Sequence, residues 1–220
     1  MKPLVAIFAH PDDEAFGPAG KIALEAKKRD VYLICVTDGA MGINSTKSEK
    51  DLVEIRKSEL RDSAKILGVK KVTFLGYKDG SLNNNLYLEL AGKIEDVLLE
   101  IKPDTLLTFE LHGLSGHLDH VAVSLISTFI YNRLDFINEL LYYCMDERES
   151  AQFKNNYFIY FPEGYCKEDV NLAVDVSSVW NQKIDSINAH KSQKHDAVKM
   201  LEFMKGLPKE EFFLVNKKNR

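Results

Sequence analysis

The sequence predicts an α/β fold in which helices flank a mostly parallel, Rossmann-like sheet. The first observation is a rhythm of strand, helix and strand that repeats four times within residues 4–109, as in parallel βαβ units with right-handed crossovers. The second is that the opening strand is a continuous apolar run, LVAIFA, which is typical of a strand buried on both faces. The third is that polar segments follow all four strands, and in such a sheet they would share one edge.

Four strands and three helices are predicted in the first half of the chain. The strands cover 4–9, 31–37, 71–75 and 105–109, and the helices cover 15–29, 49–67 and 86–101. The first helix ends in three cations, which suit a helix C-terminus. Gly68 would stop the second helix, and Pro103 would stop the third. The turn-rich loop after the second strand is long enough to cover a pocket, and a polar loop follows the third strand.

The second half is less regular. A helix is predicted over 117–132, and aromatic-rich strands over 140–144, 157–161 and 172–176. Two further helices are predicted over 178–189 and 196–205. No linker, internal repeat or low-complexity stretch interrupts the sequence, so we expect one domain over 1–220, with an irregular final third from about 134.

Composition narrows the class of protein and partner. The chain has 220 residues, 45% of them apolar and 28% charged, with a net charge of −4. That balance favours a globular domain whose partner is a neutral small molecule, with no basic patch for nucleic acid or an anionic membrane.

No apolar stretch is long enough to span a membrane and Met1 leads directly into a strand, so we expect a cytoplasmic protein. The three cysteines are odd in number, widely spaced and without a CxxC pair, which argues against a disulfide framework and a thiolate metal site. Oligomeric state is left open.

A cluster of metal-ligating residue types follows the first strand. His10, Asp12 and Asp13 stand within the segment AHPDDE. Neighbouring carboxylates repel each other, so something should offset their proximity, and a divalent cation is the usual candidate. A histidine nitrogen combined with a carboxylate oxygen suits zinc better than magnesium or calcium.

A second cluster, GHLDH, contains His117, Asp119 and His120. Histidines three apart on a helix project onto one face, so they can serve one site. We predict that His10, Asp13 and His120 bind a single Zn²⁺ and leave a fourth position for water, as in catalytic zinc sites. Asp12 would then lie close enough to take a proton from that water, with His117 on the opposite side.

The two clusters resemble the signature of the LmbE/PIG-L family of zinc-dependent N-acetylglucosaminyl deacetylases. Lesser matches extend over most of the chain: TDG at 37–39, RxxE at 56–59, DG at 79–80 and AHKSQ at 189–193. The resemblance implies hydrolysis of the N-acetyl amide of a small amino-sugar conjugate, with Arg56 contacting substrate hydroxyls and Asp79 also binding substrate. Where some relatives place an assisting tyrosine, this chain has Ser115.

Amide hydrolysis needs an activated water, a stabilised oxyanion and a proton for the departing amine. We assign the general base to Asp12, which could also return its proton to the amine. His117, when protonated, would hydrogen-bond the oxyanion, and Asp119 would orient and charge His117.

Competing interpretations exist for the whole chain and for single residues. A metal-dependent phosphoester hydrolase would need extra bridging carboxylates, for which Asp38 and Glu110 are the available candidates. A non-catalytic sugar-binding zinc protein would have no use for Asp12 as a base. Arg56 could instead form a solvated ion pair on its helix. His112 is interpreted as an exposed loop residue outside the site.

Overall fold

The structure, a computed structural model, describes residues 1–42, 48–153 and 160–218. Its strands are β1 (Leu4–Phe8), β2 (Val31–Thr37), β3 (Lys71–Tyr77), β4 (Thr105–Phe109), β5 (Glu139–Cys144), β6 (Leu172–Asp175) and β7 (Glu210–Lys217). Its α-helices are α1 (Asp13–Phe16), α2 (Ala19–Ala26), α3 (Glu49–Leu67), α4 (Tyr87–Ile101), α5 (Gly113–Gly116), α6 (Leu118–Arg133), α7 (Glu147–Phe153), α8 (Trp180–Ala189) and α9 (Lys194–Met204). Short 3₁₀ turns precede α8 (Ser177–Val179) and α9 (Lys191–Gln193).

The strands form one seven-stranded sheet in the order β3-β2-β1-β4-β5-β7-β6. Neighbours among the first five pair in parallel, whereas β7 pairs antiparallel with both β5 and β6. The predicted fold class, a mostly parallel sheet flanked by helices, is confirmed. Strand order reverses between β1 and β4, and ligands of open α/β sheets bind beyond the carboxyl ends of the strands at such a point.

Apolar side chains cover both faces of the sheet. Leu4, Ala6 and Phe8 of β1 belong to one core cluster, whereas Val5 and Ile7 belong to a second cluster on the opposite face. Every residue of β1 is buried, as expected for a central strand whose successive side chains point to opposite faces. This burial fixes the strand from which His10 emerges.

Most predicted elements of the first half match the structure, and three of them match at both ends: β2, α3 and β4. The expected helix over 15–29 is instead two helices, α1 and α2, separated at Gly17 and Pro18. A proline has no N–H to donate and suits the start of a helix, so the chain begins a new helix there.

The second half departs further from prediction. Strand β7 and helix α7 were not expected. Of the predicted strand over 157–161, residues 157–159 lie outside the described residues, and Tyr160 and Phe161 are not in a strand. No helix within the described residues combines the length and apolarity needed to cross a bilayer. The single domain over 1–220 stays a prediction.

Candidate metal centre and active site

Two short segments bring the predicted ligands to the end of the sheet. After β1, the backbone N–H of His10 donates to Asp13 Oδ2 at 2.8 Å, which folds the motif back on itself. Asp12 between them has φ 117° and ψ −22°, a positive φ that is uncommon for a residue other than glycine. Beyond β4, Gly113 has φ 67°, and an added Cβ there would lie 2.7 Å from His120 Cβ. Close approach of these two residues therefore requires glycine.

The three predicted ligands converge. His10 Nδ1 lies 3.0 Å from His120 Nε2, and Asp13 offers Oδ1 at 3.2 Å from His120 Nε2 and Oδ2 at 3.7 Å from His10 Nδ1. Ligands about 2.0 to 2.1 Å from a tetrahedral zinc are about 3.3 Å from one another. The observed separations therefore fit a small divalent cation.

The opposite nitrogen of each ring already has an acceptor. His120 Nδ1 lies 3.0 Å from the carbonyl oxygen of Gly113, and His10 Nε2 lies 3.0 Å from Asp79 Oδ1 and 3.3 Å from Asp119 Oδ2. Protons on those nitrogens leave lone pairs on His10 Nδ1 and His120 Nε2, which face each other beside a carboxylate. Such an arrangement is unfavourable without a positive charge, and acceptors that fix the tautomer in this way are usual around metal-ligating histidines.

Charge compensation is also visible in the pKa values. Burial would lower the pKa of His10, but hydrogen bonds with Asp119, Asp13 and Asp79 raise it well above its usual value. Burial would raise the pKa of Asp13, yet His120 and His10 hold it well below its usual value. The carboxylates thus require a nearby cation, which a proton on His10 or a metal ion can provide.

Ligand atoms of His10, His117 and His120 also lie close enough together to hold a metal ion. Another group of possible ligands, His10 with Asp79 and Asp119, lies on the other side of the His10 ring. Its carboxylates are already engaged. The backbone N–H groups of Gly80 and Leu82 donate to Asp119, at 2.8 and 3.0 Å, and that of Met41 donates to Asp79 at 3.1 Å. These two acids therefore orient His10, and the side facing His120 is the better candidate metal centre.

Asp12 lies beside the converging ligands, where it lines the same cavity as His10, Asp13 and His120. Burial raises the pKa of its carboxyl to about 6, although the nearby Arg56 guanidinium lowers it. A carboxyl poised near neutral pH beside a reacting water suits proton transfer in both directions.

Arg56 holds Asp12 in place. Its Nη2 donates to Asp12 Oδ2 at 2.8 Å and also to the carbonyl oxygen of Pro11, and its Nη1 donates to the carbonyl oxygen of Gly39 at 2.7 Å. The side chain is 3% exposed, so the alternative of a solvated ion pair is wrong. Arg56 also lines the cavity, and its expected contact with substrate hydroxyls stays a prediction.

His117 faces the metal-ligand side from the start of α6. Its Nδ1 accepts the backbone N–H of Asp119 at 3.2 Å, so the neutral ring carries its proton on Nε2. Burial, followed by His10 and His120, lowers the pKa of His117. The neutral ring can still donate a hydrogen bond to an oxyanion, without the protonation that the sequence analysis required.

The expected pairing of the Asp119 carboxylate with His117 needs correction. Both carboxylate oxygens turn away, toward His10 and the two backbone N–H groups of the loop after β3. The carboxylate acts on His117 through its charge, which opposes the lowering of the His117 pKa. The hydrogen bond between the two residues runs from the Asp119 backbone N–H to His117 Nδ1, as a helix N-cap. The carboxylate therefore orients His10. Asp79 has a similar contact, and its role in substrate binding stays a prediction.

Glu14 and His190, two buried residues that the sequence did not single out, form hydrogen bonds next to Asp12. Glu14 Oε1 accepts from Ser63 Oγ and lies 2.8 Å from His190 Nε2, while Glu14 Oε2 accepts the backbone N–H of Asp12 at 3.1 Å. Glu14 and His190 are 1% and 0% exposed. Both residues stand in motifs that carry the family resemblance, AHPDDE and AHKSQ, which was the signal available.

The cavity at this edge has a volume of about 730 Å³. One part is polar and contains Asp12, the predicted ligands and His117. Ser115, which takes the place of the tyrosine in some relatives, also lines it, and its Oγ is buried without a hydrogen-bond partner among the described residues. Because buried polar atoms are normally hydrogen-bonded, the Ser115 hydroxyl is available to bind a polar group of a ligand.

The spare carboxylates considered for a second metal lie outside the cavity lining. Glu110 instead accepts the backbone N–H groups of His112 and Leu114 and the Tyr165 hydroxyl. Asp38 accepts the backbone N–H groups of Ala40 and Asp79. Both shape loops around the site. His112 is exposed, as expected.

Comparisons with known proteins identify the family to which the chain is similar. Residues 5–130 match the PIG-L family, described as GlcNAc-PI de-N-acetylase. A probable N-acetyl-alpha-D-glucosaminyl L-malate deacetylase 2 of Bacillus cereus is 29% identical over 196 residues, covering 86% of this chain and 83% of that protein. A diacetylchitobiose deacetylase of Thermococcus kodakarensis is 31% identical over 204 residues, covering 88% and 70%.

A solved structure extends the likeness to the fold. The N,N'-diacetylchitobiose deacetylase of Pyrococcus horikoshii superposes with a TM-score of 0.71 at 24% identity, covering 98% of this chain and 84% of that one. At that identity the superposition shows the fold alone. The expected enzyme class, a hydrolase acting on a linear amide C–N bond, is confirmed through the family and its named relatives. The chain belongs to the PIG-L (LmbE) family of de-N-acetylases.

Proposed function

We propose that this protein removes the N-acetyl group from a small molecule containing N-acetylglucosamine, in a reaction that depends on one Zn²⁺ held by His10, Asp13 and His120. The observation that carries the proposal is the convergence of two imidazole lone pairs and a carboxylate within 3.0 to 3.7 Å. Mixed nitrogen and oxygen ligands favour zinc. The relatives named for amino-sugar conjugates supply the substrate class.

The ion would lower the pKa of a bound water and polarise the acetyl carbonyl. Asp12 accepts the proton of the attacking water and returns it to the departing amine. Two hydrogen bonds keep the Asp12 carboxylate oriented toward that water. Arg56 donates one to the carboxylate, and the Asp12 backbone N–H donates the other to Glu14. His117 donates a hydrogen bond from its Nε2–H group to the oxyanion and keeps the proton, a type of interaction that commonly contributes about 3 kcal/mol to catalysis.

Small neutral conjugates also agree with the chain's charge of −4 and with the cavity's mixed lining. The cytoplasmic location expected from the sequence stays a prediction, as does the acetyl group itself.

Amine release from a panel of N-acetylglucosamine conjugates tests this proposal, with zinc-loaded and chelated protein compared side by side. The expected result is release of amine and acetate by the zinc-loaded protein only. Asp12→Asn should retain zinc while losing at least about a thousandfold in kcat, because the proton acceptor is gone. Hydrolysis of a phosphomonoester with two metal ions per chain would instead favour the phosphoester hydrolase.

A further inference from the structure

One side of the cavity carries no polar group that the proposed reaction uses. Five apolar side chains, here called the apolar wall, line the cavity from α7, α9 and the segments after β5: Met145, Phe153, Phe161, Met200 and Phe203. The polar residues Gln152, Asp196 and Lys199 of the same helices also line the cavity. Phe153 lies at the centre, with its ring centroid 4.4 Å from that of Phe203 and 5.6 Å from that of Phe161. Aromatic pairs at such spacings form compact apolar surfaces.

The wall is only partly covered by the rest of the protein. Phe161 is 5% exposed, but the other four side chains are half-buried and face the same cavity as the metal ligands. Behind the wall, Phe203 and Met200 pack on a small core cluster that includes Ala197 and Ile187. The surface is thus held in place before any ligand arrives, a property that favours binding.

The wall also lies outside the residues that the family model matches. The family match ends at residue 130, whereas the wall comes from α7, α9 and the segments after β5. The shared residues supply the amide chemistry, so the wall is placed to distinguish one conjugate from another. A cavity of about 730 Å³ is in the range that accommodates drug-sized ligands, which leaves room beyond a single amino sugar.

We propose that the apolar wall binds an apolar group attached to the amino sugar, so that the preferred substrate is an amphipathic conjugate. This inference rests on the proposed function and deepens it. The apolar group has two possible sources, an aglycone on the anomeric oxygen or an acyl chain longer than acetyl on the nitrogen. Both would exchange water for contacts with the same rings and thioethers.

Calorimetric titration of the zinc-loaded Asp12→Asn protein tests the inference without turnover. In the first arm, phenyl and methyl 2-acetamido-2-deoxy-β-glucopyranosides are compared. In the second, N-hexanoyl and N-acetyl forms of the methyl glycoside are compared. We expect at least about tenfold tighter binding of the apolar member in one arm or both, since each buried methylene is worth about fourfold. The arm that responds identifies the source.

Phe153→Ala should reduce that preference to less than about threefold. Met200→Gln, which keeps the side-chain length but adds an amide, provides a second variant should the first fold poorly. Phe129→Ala is the matched control, because Phe129 lies on α6 outside the cavity lining and is 37% exposed. It should keep the full preference.

Equal binding of both members in both arms would overturn the inference, as would an undiminished preference in both wall variants. Tighter binding of N,N'-diacetylchitobiose than of the phenyl glycoside would also overturn it, because the rings would then be stacking on a second sugar. If the protein releases amine from the methyl glycoside but binds both members of each pair equally, only the proposed role of the apolar wall is refuted. Preferential binding with no amine release from any conjugate refutes only the proposed reaction.

Discussion

Replacing Arg56 with lysine tests how far the arrangement of Asp12 depends on one guanidinium. Arg56 donates to three oxygens at once, on Asp12, Pro11 and Gly39. Lysine keeps the charge but presents a single nitrogen, which cannot reproduce the planar fork. Two of the three hydrogen bonds should therefore be lost.

The expected cost follows from those contacts. Hydrogen bonds to charged groups contribute about 1.5 kcal/mol or more each, so losing two should lower the free energy of unfolding by about 3 kcal/mol. In a domain of this size that corresponds to a Tm lower by about 6 to 12 °C. Displacement of the Asp12 carboxylate by about 1 Å should also reduce kcat about a hundredfold, with little change in zinc affinity because Arg56 contacts no predicted ligand side chain.

The assay compares amine release, thermal unfolding and zinc affinity in Arg56→Lys and Arg61→Lys. Arg61 is on the same helix, but it is exposed and lies over the ring of Phe74 at 5.0 Å. Its replacement should change kcat less than about threefold and Tm by less than about 2 °C. If Arg56→Lys behaves like Arg61→Lys, then Arg56 does not position Asp12.

Two further predictions concern stability. Burial raises the pKa of Glu149 from 4.5 to about 7, so the folded state keeps this proton after the unfolded state has lost it. The free energy of unfolding should therefore fall by about 3 kcal/mol as pH rises from about 4.5 to 7. Urea unfolding at a series of pH values should show that this fall is missing in Glu149→Gln. The same fall in the variant would refute the assignment. Gly20→Ala would place a Cβ 2.5 Å from Val176 Cγ1 and should cost about 2 to 3 kcal/mol. Gly92→Ala, in the middle of α4 with nothing within 4 Å, should instead stabilise the fold by up to about 1 kcal/mol; equal effects of the two glycine variants would contradict the packing described.

The fold of the first half was predictable because its signals are local. The apolar run of β1 and the helical spacing of apolar residues in α3 are each contained in one continuous segment of sequence. Gly68 ends α3 in the left-handed conformation. Strand β7 was missed although Phe212 and Phe213 are apolar, since nothing local specifies that a strand inserts antiparallel between two others. That placement depends on long-range pairing.

The site was partly predictable for the same reason. The clusters AHPDDE and GHLDH contain the residues that converge. Their convergence was predictable because the carboxyl ends of parallel strands meet at one edge of the sheet. The direction of each side chain could not be derived in this way. Asp119 turns toward His10 instead of His117, and Glu14 meets His190 across 176 positions of sequence. Arg56 shares the buried face of α3 with Leu52 and Leu60, a periodicity that could have indicated its burial.

Zinc binding to His120→Ala and His112→Ala measures the central claim most directly. His120 contributes one of the converging lone pairs, whereas His112 is an exposed histidine on the neighbouring loop. We predict one zinc ion per chain in the unmodified protein and in His112→Ala, measured by elemental analysis and by competition with a chromophoric chelator. His120→Ala should bind zinc at least about a hundredfold more weakly, since three protein ligands hold a catalytic zinc. Undiminished zinc affinity in His120→Ala would contradict the proposed metal centre.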